Sequence, residues 1–145
     1  MLKLSKKTDY GLIALRHLAT CDCKESCSVA EIAQEYGISA TLMAKILQRL
    51  AKKGLVAARH GATGGYKLAK KPSEITALDV IYAVDGPQHV TNCITTHGEC
   101  NHTSTCTVRE PLRRVNDSIL EVLNRLTILE ITNGPAGGPV IELRA

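Results

Sequence analysis

Apolar residues first fall into register between Lys6 and Ala19, where Tyr10, Leu12, Ile13, Leu15 and Leu18 line one face of a helix of about four turns. Cys21 to Cys27 is a polar break. Ser28-Val-Ala-Glu31 then forms a capping-box pattern, in which hydroxyl and carboxylate satisfy each other's orphan amides. The predicted helix runs from Val29 to Tyr36 and stops at Gly37, a residue suited to a left-handed end. Ser39 caps the next helix, Ala40 to Lys53, whose inner side is Leu42, Met43, Ile46, Leu47 and Leu50, and Gly54 closes it. Two short helices on a tight glycine turn read as a helix-turn-helix.

At Leu55 the pattern changes from helical to extended. Leu55 to Arg59 and Tyr66 to Leu68 flank a glycine-rich turn, which predicts a β-hairpin, a wing, directly after the second helix. Residues 61–65 lack the Gly-Lys-Ser/Thr ending of a phosphate-binding loop, and a strand follows rather than a helix. A short helix is expected from Ala77 to Val84, capped by Thr76 and Asp79 and ended by Gly86-Pro87. Thr107-Val-Arg-Glu110 is a further capping box. Beyond it, Val108, Leu112, Val115, Ile119, Val122, Leu126 and Leu129 alternate at spacings of four and three, an a/d seam. Such a stripe needs a cover, and a second copy of the chain is the expected one. The fold class is therefore mainly α: a winged helix-turn-helix with a small β-hairpin wing and a long C-terminal dimerisation helix. The divisions are a winged unit over 1–86, a loop over 87–107, the long helix over 108–132 and a loose tail over 133–145.

Composition narrows the functions available. Four Tyr with no Trp and no Phe leave little aromatic surface on which to stack unpaired bases. Residues 1–70 hold 12 Lys/Arg against 5 Asp/Glu, and residues 71–145 hold 6 against 9, so a net +7 front stands on a net −3 back. That split suggests a polyanion-binding face apart from an assembly or sensing region. No signal-peptide core or membrane span is visible, so no membrane partner is expected. The expected compartment is the cytoplasm, where thiols stay reduced.

Six Cys then call for chemistry. Cys93, Cys100 and Cys106, separated by six and five residues, lie in a segment from Thr91 to Thr107 with almost no apolar side chain to order it. Thiolates bind iron–sulfur clusters or zinc. A Cys₃His zinc site could draw on His97 or His102, although structural zinc favours closer cysteine pairs than these. A thiol enzyme would need an activating base in a cleft and an oxyanion site, and no pattern for the latter is evident. Cys21, Cys23 and Cys27 are open to three readings: a second metal site, a disulfide formed on oxidation, or unpaired surface thiols.

Four segments together resemble the iron–sulfur winged-helix regulators typified by IscR and NsrR. They are Lys-Leu-Ser-Lys-Lys-Thr-Asp-Tyr-Gly at 3–11, Val-Ala-Glu-Ile-Ala at 29–33, Gly-Ala-Thr-Gly-Gly-Tyr-Lys-Leu-Ala at 61–69, and the three-cysteine loop. The opening segment and the cysteine spacing look most like regulators of Suf cluster-assembly genes. The resemblance implies a homodimeric DNA-binding regulator, repressor or activator, with a labile 2Fe–2S or 4Fe–4S cluster on Cys93, Cys100 and Cys106. One family source of a fourth ligand, a His three residues after the last Cys, is Arg109 here. The other is an Asp in the partner's first helix, the position of Asp9, with His97, Glu99 and His102 as local alternatives. Duplex promoter DNA would meet Ser39, Ala40, Thr41, Lys45, Gln48 and Arg49 of the recognition helix and Arg59, Gly64 and Lys67 of the wing. RNA polymerase is a further expected partner. Nitric oxide or redox sensing is the alternative signal, and an iron–sulfur or zinc protein with no DNA role is the alternative class.

Overall fold

In the computed structural model, which describes residues 3–21, 26–62, 64–95 and 100–134, each helix starts where a hydroxyl can cap it. The exception is the long one. Ser5 Oγ accepts from Thr8 N–H at 3.2 Å and opens α1 (Lys6–Thr20). Ser28 and Glu31 form the reciprocal box of α2 (Val29–Tyr36), which ends at Gly37 with φ +62°. Ser39 caps α3 (Ala40–Lys52), and the Thr76–Asp79 box opens α4 (Ala77–Val84).

Between α3 and α4 lies an antiparallel hairpin, β1 (Val56–Arg59) with β2 (Gly65–Leu68), in the register Val56↔Leu68 and Arg59↔Gly65. The core forms where α1, α3 and α4 cross. Leu15, Met43, Ile46, Leu47, Leu50 and Val80 are essentially solvent-free, with Ile32 of α2 and Leu55 and Val56 of the hairpin completing it. Gly11 permits the close crossing: a Cβ there would lie 3.2 Å from Val80 Cγ1 and 3.4 Å from Val84 Cγ2. Burying each large aliphatic side chain contributes about 1.5–3 kcal/mol, so the four α3 residues alone anchor that helix firmly.

The C-terminal region departs from the expected single helix over 108–132. Helix α5 spans Arg109–Arg125, the chain turns at Leu126, and α6 (Ile128–Asn133) begins anew. The break has a local cause, since Thr127 and Glu130 form a capping box that starts a helix. It also has a tertiary one, because Ile128 is wholly buried in the core shared with α1. Two backbone bonds fasten the turn: Ala77 N–H to Leu126 O at 2.8 Å and Ile128 N–H to Ile75 O at 2.9 Å. The expected Thr107 box is also absent. Val108 is the N-cap with no side-chain bond, and Glu110 pairs instead with Arg114 one turn on at 3.6 Å.

Apart from Asn116, α5 is exposed or half-buried along its length. Asn116 is buried and accepts Val90 N–H at 3.1 Å, tying the segment after α4 to the middle of the helix. Val115 and Val122 stand 49% and 66% exposed. With Ile119, Leu123 and the stems of Arg114 and Ser118 they border an open apolar groove of about 450 Å³. No described helix is long and apolar enough to cross a membrane.

Candidate nucleic-acid interface and thiol sites

The N-terminal end of α3 presents Ser39, Ala40 and Thr41 to solvent, with Lys45 and Gln48 exposed farther along. Ser39 Oγ accepts Leu42 N–H at 3.4 Å. Arg49 is exposed, yet its Nη1 donates to Val84 O at 2.9 Å, so part of the guanidinium serves to hold α3 against the end of α4. A small cleft of about 120 Å³ brings Arg49 and Lys45 together with Lys7 of α1. Lys7 was not among the residues expected at this face. Its signal in the sequence was the Lys6-Lys7 pair at the start of α1, which pattern alone could not place beside α3. Three cations sharing one cleft, without a carboxylate among the lining residues, suit a polyanion.

In the wing, Arg59 and Lys67 are exposed on neighbouring strands. Gly64 lies at the hairpin turn, where a Cβ would meet Gly61 O at 2.8 Å and Arg59 O at 2.9 Å. The turn itself therefore requires glycine at 64. Gly65 has a different constraint: a Cβ there would lie 2.3 Å from the carbonyl oxygen of Cys27. Cys27 and Tyr66 exchange backbone bonds at 2.9 and 2.8 Å, which seats the wing on the segment before α2.

The three loop thiols are all half-buried. Cys93 sits in a short 3₁₀ turn, Asn92–Ile94, with its Sγ 3.2 Å from Thr91 Oγ1. Cys100 belongs to a turn in which its carbonyl accepts the N–H and hydroxyl of Thr103. Cys106 lines a cavity of about 380 Å³ with Ile94, Arg109, Glu110 and Arg113. These sulfurs are not among the described groups whose ligand atoms all lie within 4.8 Å of one another. One mononuclear ion would need them that close, whereas a polynuclear cluster spreads its thiolates over different irons. Of the three thiols, Cys106 is the one that shares a cavity with the guanidinium groups of Arg109 and Arg113. His102 is exposed, while His97 and Glu99 lie outside the described residues.

Asp9 is in the first turn of α1 and half-buried. Its neighbour Thr8 is fully buried and donates to Asp85 at 2.7 Å, and Ser5 gives the same carboxylate both its hydroxyl, at 2.6 Å, and its N–H, at 3.2 Å. Burial pushes the Asp85 carboxyl up, but the bonds from Ser5 and Thr8, with the charge of Lys7, outweigh it and leave the group below its ordinary value. This clasp joins the start of α1 to the end of α4.

A second thiol group lies at the other end of α1. Cys21 Sγ is 2.7 Å from Cys27 Sγ and 3.6 Å from His17 Nε2, while His17 Nδ1 is 3.2 Å from the Tyr36 hydroxyl. Among the described residues this is the group of three potential ligands held within 4.8 Å. Cys21 and Cys27 were singled out from sequence, but His17 and Tyr36 were not. Cys23 lies outside the described residues.

Residues 4–134 match the Rrf2 family, Iron-dependent Transcriptional regulator. CymR (YrzC), the global cysteine regulator of B. subtilis, is similar at 31% identity and TM-score 0.73, over 92% of this chain and 98% of its own. T. potens IscR is similar at 29% identity and TM-score 0.67, over 91% of this chain and 87% of its own. A putative transcriptional regulator from Listeria innocua shares 25% identity with TM-score 0.78, over 99% of this chain and 94% of its own. The mainly helical fold with a two-stranded wing agrees with these likenesses. The chain belongs to the Rrf2 family and is a transcription regulator rather than an enzyme.

Proposed function

We propose that the chain acts as a homodimer on duplex promoter DNA and reports iron–sulfur cluster status through Cys93, Cys100 and Cys106, with Suf-type assembly genes as its targets. One observation carries the reading. Three half-buried thiols stand in a segment almost without apolar residues, immediately before the helix that bears the exposed apolar groove. Arg109 and Arg113, which line the cavity with Cys106, place positive charge where a negatively charged cluster would sit. A bound cluster, 2Fe–2S or 4Fe–4S, supplies a signal that can be lost or oxidised. The fourth ligand is Asp9 of the partner subunit, and His102 is the local substitute. A carboxylate oxygen binds iron less tenaciously than a fourth thiolate, and lability is what a sensor requires.

The α5 groove around Val115 and Val122 is the dimer contact. On the DNA side, Ser39, Ala40 and Thr41 approach the duplex at the N-terminal end of α3, and Gln48 reads base edges. Lys45, Lys7, Arg59 and Lys67 hold phosphates. Arg49 divides its donors between Val84 O and the nucleic acid, and the tight turn at Gly64 lets the wing backbone approach. RNA polymerase is a further partner where the regulator activates. The chain's cytoplasmic location follows from the same role.

The likeness to a cysteine regulator supports a second reading, in which thiol status or nitric oxide is the signal rather than cluster supply. Purification without oxygen, followed by iron and sulfide analysis and salt-dependent binding to promoter duplex, tests both. Equal iron and sulfide, lost in Cys106→Ser together with the change in DNA affinity on air exposure, supports cluster sensing. Iron-free protein whose DNA affinity follows thiol oxidation supports the second reading.

A further inference from the structure

The loop thiols leave His17, Cys21 and Cys27 without a role, and their arrangement is more specific than surface cysteines require. His17 and Cys21 are one helical turn apart at the end of α1. Cys27 comes from elsewhere, carried in by its backbone pairing with Tyr66 of the wing, and its side chain is 1% exposed. Tyr36 closes the arrangement: its hydroxyl meets His17 Nδ1 and its ring packs edge-on at a centroid distance of 5.6 Å. With Nδ1 so engaged, Nε2 faces Cys21. A partner fixing one ring nitrogen while the other faces the ligand set is the usual support of a metal-binding histidine.

From this geometry we propose that His17, Cys21 and Cys27 bind one soft divalent cation of the zinc class, at a site separate from the cysteine loop. Tetrahedral bond lengths of about 2.0 Å to nitrogen and 2.3 Å to sulfur imply a nitrogen–sulfur edge of ~3.5 Å and a sulfur–sulfur edge of ~3.8 Å. The His17–Cys21 distance of 3.6 Å is already within about 0.1 Å of that edge. The two sulfurs, 2.7 Å apart, must open by about 1 Å. Cys21 can supply the movement, because it is the C-cap of α1 with non-helical φ −77° and ψ 68°. Cys27 stays, held by its two backbone bonds to Tyr66. A cavity of about 530 Å³ beside the three ligands, bordered also by Glu31, Gln34 and Glu35, leaves room for solvent as the fourth ligand. A disulfide between the two sulfurs would make no use of His17 or Tyr36.

The site joins three elements: the end of α1, the cap of α2 at Ser28, and β2 of the wing. A bound ion would therefore tie the wing to the helices that carry the recognition surface. This goes beyond the cluster reading and does not depend on it.

Cobalt(II) is the probe. The full chain, stripped of iron and fully reduced without oxygen, is titrated while sulfur-to-cobalt charge transfer and the tetrahedral ligand-field bands are recorded. Cys106→Ser is expected to retain one cobalt with both signals. Cys21→Ser should lose about half the charge-transfer intensity, as one of two thiolates is removed. Tyr36→Phe leaves all three ligands in place and should weaken cobalt affinity about 10–100-fold. His17→Gln should weaken it further. Because Cys27 is buried and its replacement could disturb folding, the outcome rests on these other variants, each checked by circular dichroism. Loss of all cobalt in Cys106→Ser, or unchanged titrations in both His17→Gln and Cys21→Ser, overturns the proposal. Iron content of Cys21→Ser, measured separately, shows whether the loop reading stands or falls on its own.

Discussion

Val122→Glu tests the dimer reading most directly. In the isolated subunit Val122 is 66% exposed on α5, and Glu is a good helix former, so the fold should lose less than about 0.5 kcal/mol. Burial in a dimer would remove that exposed two-thirds. Scaling the roughly 1.5–3 kcal/mol for full burial of an aliphatic side chain gives about 1–2 kcal/mol per subunit and about 2–4 kcal/mol per dimer. At ~1.4 kcal/mol per decade, the dimerisation constant should fall roughly 30- to 1,000-fold before any cost of burying two carboxylates is added. Sedimentation equilibrium across a concentration series reads this shift. Thermal melts at a concentration where both proteins are monomeric should coincide. If the variant sediments like the parent at every concentration, the α5 groove is not the interface, and the apolar stripe must be covered in another way.

Three further outcomes are expected. Ile128→Ala empties a fully buried site where α6 meets α1 and should cost about 2–5 kcal/mol, read as a lower denaturation midpoint in urea; a loss under 1 kcal/mol would mean that α6 is not anchored. Asp85, whose folded value lies below the unfolded one of about 3.9, contributes stability that is present above that value and disappears as pH falls through the folded value. Asp85→Asn should accordingly melt lower than the parent at pH 7, with the gap narrowing below about pH 4; a constant gap would refute the clasp. Lys45→Ala and Lys67→Ala should each weaken binding to operator and random duplex alike and reduce the log–log salt slope by about 0.9, whereas unchanged slopes in fluorescence anisotropy would place both residues off the DNA.

Local cap signals match the structure at most helix starts, with the Thr107 box as the exception. Ser28–Glu31, Ser39 and Thr76–Asp79 open the helices they were expected to open, and the shift from helical to extended spacing at Leu55 marks the wing. The heptad stripe misled, because periodicity outweighed the Thr127–Glu130 cap that interrupts it. Only the burial of Ile128 against residues more than a hundred positions earlier decides between the two signals. The same holds for the chemistry. The cysteines were visible by their type, but the approach of Cys27 to His17 and Cys21 depends on strand pairing with Tyr66, and the Lys7–Lys45–Arg49 cleft depends on how α1 crosses α3. Side-chain spacing along one element carries no record of which element lies beside it.

Main chain seats the wing on the segment before α2, while Leu55 and Val56 anchor its first strand in the core. Cys27 and Tyr66 exchange backbone bonds, and residue 65 beside them must carry no side chain. Lys67, exposed on β2, can be exchanged for other residues without touching those backbone bonds. The exposed face of the wing can change one substitution at a time while that seat is kept. A single added methyl group at Gly65 would strike the Cys27 carbonyl and disturb that seat, whatever residues the hairpin displayed.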